Sequence, residues 1–183
     1  MVYVFLAEGF ELVEAMAPVD ILRRAKVEVK TVGVTGRQVA ASNGVPVVAD
    51  LEIAQAQREG LSAIVLPGGL PGTVNLEQSP EVQDFIDFCA EQGMLIAAIC
   101  AAPSILAHKG LLRGREATAF PNFQKDLEEG GAQLSPRFVV RDGQFITARG
   151  MGVSTQFGLA LAEALASPET AEQIKSSIQF SLE

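Results

Sequence analysis

An apolar run that passes without a break into a helix constrains this chain more than any other feature. Met94-Leu95-Ile96-Ala97-Ala98-Ile99 reads as a fully buried strand, and Ala101-Ala102-Pro103-Ser104-Ile105-Leu106 reads as the start of a helix. Only Cys100 stands between them. A strand that enters a helix at once leaves no relaxed loop. The residue at the bend is held in a strained conformation, with its side chain over the sheet edge and the helix amides pointing at it. A thiol there is expected to ionise readily, because the positive end of the helix favours the thiolate. The expectation is a reactive cysteine at a nucleophile elbow.

The rest of the chain supplies the sheet that such an elbow needs. Short apolar strands alternate with amphipathic helices, the pattern of a mostly parallel, doubly wound α/β sheet covered on both faces. Strands are expected over 2–7, 27–34 and 63–66, and helices over 12–25 and 80–92. Pro18 predicts a kink in the first helix. Ser42-Asn43-Gly44 marks one hairpin and Arg141-Asp142-Gly143-Gln144 a second, each flanked by apolar residues. A long apolar helix is expected over 153–166, and Ser167-Pro168 opens a last helix as N-cap and first residue. The chain has 183 residues and no internal repeat or linker, so one domain over 1–183 is expected.

Composition closes several classes of function. The net charge of −8 is spread along the chain with no basic run, so nucleic acid and anionic membrane surfaces are not expected partners. No apolar stretch is long enough to cross a bilayer. Val2-Tyr3-Val4-Phe5-Leu6 is too short for a signal-peptide core and reads as a strand, which points to the cytoplasm. The two cysteines, Cys89 and Cys100, make neither a disulfide framework nor a zinc or thioredoxin-type motif. In a reducing compartment both are free thiols, and Cys89 falls on the inner stripe of its helix with Val82, Phe85 and Ile86 as a core residue. No cofactor and no metal is expected.

The one histidine, His108, is eight residues from Cys100. That is about 12 Å along a helix at about 1.5 Å per residue, beyond reach of the sulfur. It suits the helix C-terminus before Lys109-Gly110. A Cys–His dyad within one chain is therefore not expected, and proteolysis or glutamine amide hydrolysis of that type loses its general base.

Ligands of a doubly wound sheet bind outside the carboxyl ends of the strands. Three segments should meet there: Glu8-Gly9-Phe10-Glu11-Leu12-Val13-Glu14, Pro67-Gly68-Gly69-Leu70-Pro71-Gly72 and the Cys100 bend. Gly68 and Gly69, with the amide of Ala101, could cradle an oxyanion or a sulfinate. Glu14 could face the thiol, where like charge and burial would push its carboxyl towards the protonated form. Taken singly, Gly-Gly reads as a tight turn, and Glu8, Glu11 and Glu14 read as solvated carboxylates. Only their convergence makes a site.

Gly9-Phe10-Glu11-Leu12-Val13-Glu14, Pro18 to Ala25, Val65-Leu66-Pro67-Gly68-Gly69, Ala97-Ala98-Ile99-Cys100-Ala101-Ala102-Pro103 and Thr147-Ala148-Arg149-Gly150 together resemble the ThiJ/PfpI superfamily. More narrowly they resemble its Parkinsonism-associated deglycase branch and bacterial homologues. The match runs in order over nearly the whole chain. It implies a flavodoxin-like three-layer sandwich and a homodimer. It implies that Cys100 matches the oxidation-prone nucleophile, that Glu14 matches the protonated glutamate bonded to that sulfur, and that the amides of Gly69 and Ala101 line an anion pocket. The implied functions are stress-protective. One is a glyoxalase or deglycase acting on methylglyoxal-type dicarbonyls, small carbonyl compounds or glycated proteins. The alternative is a non-catalytic redox sensor or holdase chaperone working through oxidation of Cys100. Proteolysis, from other branches, requires a nearby histidine and ranks last. Two departures stand out. Phe120, ahead of Pro121, holds the place of a family histidine, and Ser42-Asn43-Gly44 offers no counterpart to the family's pocket arginine.

Overall fold

The computed structural model describes residues 1–181, so the expected domain of 1–183 runs two residues outside the described part. The strands, in chain order, are β1 (Val2–Leu6), β2 (Val29–Gly33), β3 (Gln38–Ala40), β4 (Pro46–Val48), β5 (Leu51–Glu52), β6 (Ala63–Leu66), β7 (Leu95–Ile99), β8 (Glu116–Ala117), β9 (Gln133–Leu134), β10 (Val139–Asp142) and β11 (Phe145–Ala148). The helices are α1 (Leu12–Arg24), α2 (Gly72–Gln78), α3 (Pro80–Glu91), α4 (Pro103–His108), α5 (Gln124–Glu129), α6 (Ser154–Leu165) and α7 (Pro168–Ser177).

Seven strands form one sheet in the order β10-β11-β7-β6-β1-β2-β5, parallel throughout except for β10 against β11. The expected α/β sandwich is therefore the fold. Side chains alternate across a strand, so each central strand feeds two cores. In β1, Val2, Val4 and Leu6 pack on one face with Leu22 of α1, Phe157 of α6 and Ile174 of α7. Tyr3 and Phe5 pack on the other face with Leu76 of α2, Phe85 and Cys89 of α3, and Ile105 of α4.

The chain leaves β1 for α1 on one face and leaves β6 for α2 and α3 on the other. That reversal between adjacent strands opens a crevice at their carboxyl ends, where the loops after β1, β6 and β7 converge. Pro18 lies within α1, which runs from Leu12 to Arg24 without interruption. Ser167 caps α7 as its sequence predicts, accepting from the Thr170 amide. Both hairpins form. The helix after Cys100 begins at Pro103, not Ala101, because Cys100 to Ala102 make a turn first. Among the described residues no helix is long and apolar enough to cross a membrane.

Candidate functional site

All five residues of β7 are buried, and its register with β6 and β11 fixes where it ends. Cys100 follows with φ of 65°, a left-handed conformation that costs a non-glycine residue about 1–2 kcal/mol. Two hydrogen bonds hold it there: its amide donates to the Ala148 carbonyl at 2.9 Å, and its carbonyl accepts from the Phe120 amide at 2.9 Å. The elbow expected from the sequence is present, and its side chain is partly exposed.

Glu14 arrives from α1. The Glu11 side chain caps that helix by accepting from the Glu14 amide at 2.7 Å, which sets the first turn against the crevice. The Glu14 side chain is 1% exposed. Its Oε2 accepts from the Gly68 amide at 2.9 Å, the Met151 amide also donates to the carboxyl, and the carboxyl bonds the Cys100 thiol. Glu14 is thus no solvated helix residue. Glu8 and Glu11 are tied to backbone amides at the crevice rim, through Ala40 and Glu14.

The Pro67-Gly68-Gly69 turn must be free of side chains. A Cβ on Gly68 would lie 2.6 Å from Cys100 Cβ and 2.6 Å from Glu14 Oε2. Gly69 has φ of 89°, and a Cβ there would meet the Glu11 amide at 2.5 Å. The glycines therefore let the turn press directly on the thiol and the carboxyl. Their roles divide: the Gly68 amide is taken by Glu14, whereas the amides of Gly69 and Ala101 bear on the sulfur. The expected three-amide anion cradle of Gly68, Gly69 and Ala101 is reduced to two donors at the sulfur.

Burial pushes the Glu14 carboxyl up to about 7, helped by the Glu11 charge and opposed by the thiol and the two amides. This is the direction the sequence predicts. The thiol goes the other way from expectation. Burial first, then the charge and hydrogen bond of Glu14, push Cys100 up to about 12, and the amides of Gly69 and Ala101 pull against that. The positive helix end contributes little because α4 is six residues long and starts at Pro103, beyond the turn of Cys100 to Ala102. The protons leave such a pair one at a time. Above about 7 the site carries one negative charge, which these shifts place first on the Glu14 carboxylate, and burial and repulsion oppose a second.

The other candidates lie elsewhere. Cys89 is fully buried in the second core, and His108 sits in the last turn of α4 bonded to Glu77. Among the described residues no group of three or more His, Cys, Asp or Glu side chains is gathered as a metal site. The β3–β4 hairpin carries no arginine to the crevice, and Ala41, at its turn end just after β3, bridges to Phe10.

The loop after β11 is the part that the sequence reading missed. Ala148 is in register with Ile99, so Arg149, Gly150 and Met151 emerge beside the elbow. With Phe120, Phe138 and Val153 they bound a cavity of about 430 Å³. The Arg149 guanidinium lies 4.6 Å from the centre of the Phe138 ring, and its Nε donates to Thr118 Oγ1 at 3.3 Å. Thr147-Ala148-Arg149-Gly150 was visible as a motif. Its meaning depends on β11 lying next to β7, a long-range pairing that no local pattern specifies.

Comparison with known proteins agrees with this geometry. The sequence profile of the DJ-1/PfpI family matches residues 1–164. Protein dj-1beta of Drosophila melanogaster is 36% identical over 176 residues, covering 96% of this chain and 94% of the relative. Its crystal structure superimposes with a TM-score of 0.94 at 34% identity, over 99% of this chain and 98% of that one. The glutathione-independent glyoxalase DJR-1.2 of Caenorhabditis elegans is 29% identical over 162 residues, 88% of this chain and 86% of the relative.

Proposed function

Because the chain belongs to the DJ-1/PfpI family, we propose that it is a cysteine-dependent glyoxalase, converting small 2-oxoaldehydes of the methylglyoxal type into 2-hydroxy acids. The observation that carries this reading is a buried carboxyl, poised at about 7, against a partly exposed thiol. A group that must both give and take a proton works best when its pKa is near the operating pH. The glyoxalase relative supports the same reaction class.

The reaction uses the form of the singly charged pair in which the proton has moved from Cys100 to Glu14. With the proton on Glu14, the Cys100 thiolate adds to the aldehyde carbon, and the carbonyl oxygen takes the Glu14 proton to give a hemithioacetal. The Glu14 carboxylate then removes the hydrogen on that carbon as a proton, and the electron pair moves into an enediolate. Glu14 returns the proton to the neighbouring carbon while the hydroxyl proton passes to that carbon's negatively charged oxygen, which leaves a 2-hydroxy thioester. Water cleaves the thioester, releasing the 2-hydroxy acid and the thiol. The balance is one dicarbonyl plus one water to one hydroxy acid, with no external oxidant or reductant. The amides of Gly69 and Ala101 offset negative charge at the sulfur end of each step. Free dicarbonyls reach a sulfur this recessed more readily than glycated side chains do.

The test follows methylglyoxal loss and lactate gain without glutathione. Cys100→Ser should abolish turnover, and Glu14→Gln should lower kcat by about 10²–10⁴, the range of a lost acid–base group. Equal rates in all three proteins would end the proposal.

A second reading is a redox sensor, favoured by the two amides and the carboxyl converging on one sulfur, which suits a sulfinate. Here peroxide takes the thiolate to a sulfenate and leaves as water, and a second equivalent gives the sulfinate. Mild peroxide should then add two oxygens to Cys100 before any reaches Cys89, as mass spectrometry would read. Oxidation at both thiols alike would count against it.

A further inference from the structure

We infer that Glu11 is a positioning residue for the reaction: a fixed carboxylate beside Glu14 that drives the single negative charge of the pair from the carboxyl onto the Cys100 sulfur. The inference deepens the glyoxalase reading and rests on it for the reaction, but its test does not need turnover.

Glu11 is an unusual cap. Ser, Thr, Asn and Asp favour a helix N-cap, because their short side chains reach the first-turn amides with little loss of freedom. Glu11 fills that place with a longer chain, accepting from the Glu14 amide at 2.7 Å. Its backbone is pinned as well. The Glu11 amide donates to the Gly68 carbonyl at 2.9 Å, and the Gly68 amide donates to Glu14 Oε2 at 2.9 Å. One glycine thus ties the two glutamates together, and the Glu11 carboxylate cannot swing away without breaking the cap. The N-terminus of a helix favours an anion in that place.

A fixed charge acts most on the nearer neighbour. Glu11 and Glu14 share the first turn of α1, whereas Cys100 belongs to another element and meets this turn through the Glu14 carboxyl. The Glu11 charge pushes the Glu14 carboxyl up. Cys100 is shifted by its own burial, by Glu14 and by the amides of Gly69 and Ala101. Other charged groups around the pair are turned elsewhere. The turn after β6 carries no charged side chain over 67–72, the Glu8 carboxyl accepts from the Ala40 amide, and the Arg149 guanidinium lies against Phe138 and Thr118. In the singly charged pair the proton rests on one partner or the other. A carboxylate that repels charge on Glu14 more than charge on sulfur raises the share of the form with the proton on Glu14. That form holds the nucleophile. Without the Glu11 charge the pair would still lose one proton, but more of the charge would stay on oxygen.

The experiment follows alkylation of Cys100 by iodoacetamide, a neutral reagent, from about pH 5 to about pH 9 in wild type, Glu11→Gln and Glu11→Asp, with the site read by peptide mapping. Glutamine keeps an oxygen to accept from the Glu14 amide and removes the charge. Its rate should match wild type at the acid end, where the pair holds both protons and the thiolate forms beside a neutral carboxyl. Above about 7 its plateau should fall about three- to tenfold, and its midpoint should move about half a unit to one unit lower, both from the same lost repulsion. Aspartate is a favoured cap that restores the charge, so Glu11→Asp should return the plateau to within about twofold of wild type. A merely structural role would change the rate at every pH. An unchanged plateau and midpoint in Glu11→Gln overturn the inference. So does a loss equal at all pH values, or one that Glu11→Asp does not restore. Methylglyoxal turnover in the same proteins separates the two proposals. Above about pH 7, kcat/KM should fall in Glu11→Gln by at least the factor seen in alkylation. Absence of turnover in wild type removes the glyoxalase reaction, and the alkylation profiles then decide the role of Glu11 by themselves.

Discussion

Cys89 and Cys100 are both pushed up to about 12 by burial, and there the likeness ends. Cys89 lies within α3, on a regular helix, among Tyr3, Phe85, Ile86 and Ile96 in the second core. The charge of Arg58 opposes its burial. Cys100 sits at a left-handed turn with a carboxyl and two amides directed at its sulfur and an open cavity alongside. A raised thiol pKa is therefore no measure of function in this molecule. What separates the two sites is whether a second group can carry the charge that the first gives up. Glu14 can, and among the described residues no carboxyl stands in that place beside Cys89.

The largest consequence of that difference is a pH-dependent stability belonging to the Cys100 side alone. Glu14 rises from 4.5 to about 7 on folding, so the native state keeps a proton that the unfolded chain releases. Its stabilisation is complete below about 4.5 and is lost as pH rises through about 7, in total about 3 kcal/mol at about 1.4 kcal/mol per unit. Asp50 acts in the opposite sense at lower pH: the Thr31 hydrogen bonds and Arg23 outweigh its burial and hold it below its usual value, so its contribution is lost as pH falls further. Urea unfolding from pH 4.5 to 8 should show the decline, and Glu14→Gln should flatten it. A slope that survives that substitution places the buried proton elsewhere.

Next in size is a reactivity contrast that tests whether the single charge reaches the sulfur. At pH 7.5 iodoacetamide should modify Cys100 about a hundredfold faster than Cys89, with sites read by peptide mapping. Cys89 reacts only when the native structure opens. Cys100 needs only the form of the pair in which the proton lies on Glu14. Equal rates would mean that the charge never leaves the carboxylate, and the nucleophilic step of the proposed mechanism would fail with it.

These contrasts mark what the sequence made legible. Leu95 to Ile99, one unbroken apolar run before Cys100, disclosed the elbow because a buried strand writes its burial into consecutive residues. Cys89 disclosed its place through helical spacing with Val82, Phe85 and Ile86. Glu14 was legible as a candidate only beside its neighbours, since one carboxylate on a helix looks the same whether it faces solvent or a thiol. The division of labour between Gly68 and Gly69 was not legible. Both are glycine for steric reasons, and which amide meets the carboxyl depends on ångström-scale contacts. Short pieces such as β5, β8 and β9 were missed because two residues carry no period. The cavity walls come from the segments after β8, before β10 and after β11, which only the strand order brings together.

The smallest effect is the most direct test of strain at the elbow: the same substitution made at both cysteines. Cys89→Gly places glycine inside α3, at about 1 kcal/mol of helix propensity, and removes a fully buried side chain worth about another 1–2 kcal/mol. Cys100→Gly also loses a side chain, but a partly exposed one, and it releases a left-handed backbone that costs about 1–2 kcal/mol. The greater freedom of glycine in the unfolded chain offsets about 0.5–1 kcal/mol of that gain. Cys100→Gly should therefore stay within about 1 kcal/mol of wild type and Cys89→Gly should lie about 2 kcal/mol below it. Urea unfolding at pH 5 is the fair comparison, because Glu14 is still protonated there in the native state. Equal losses at the two positions would mean that the turn is relaxed. Near-neutral stability at position 100 with turnover abolished would mean that this backbone is kept strained for its sulfur and not for its fold.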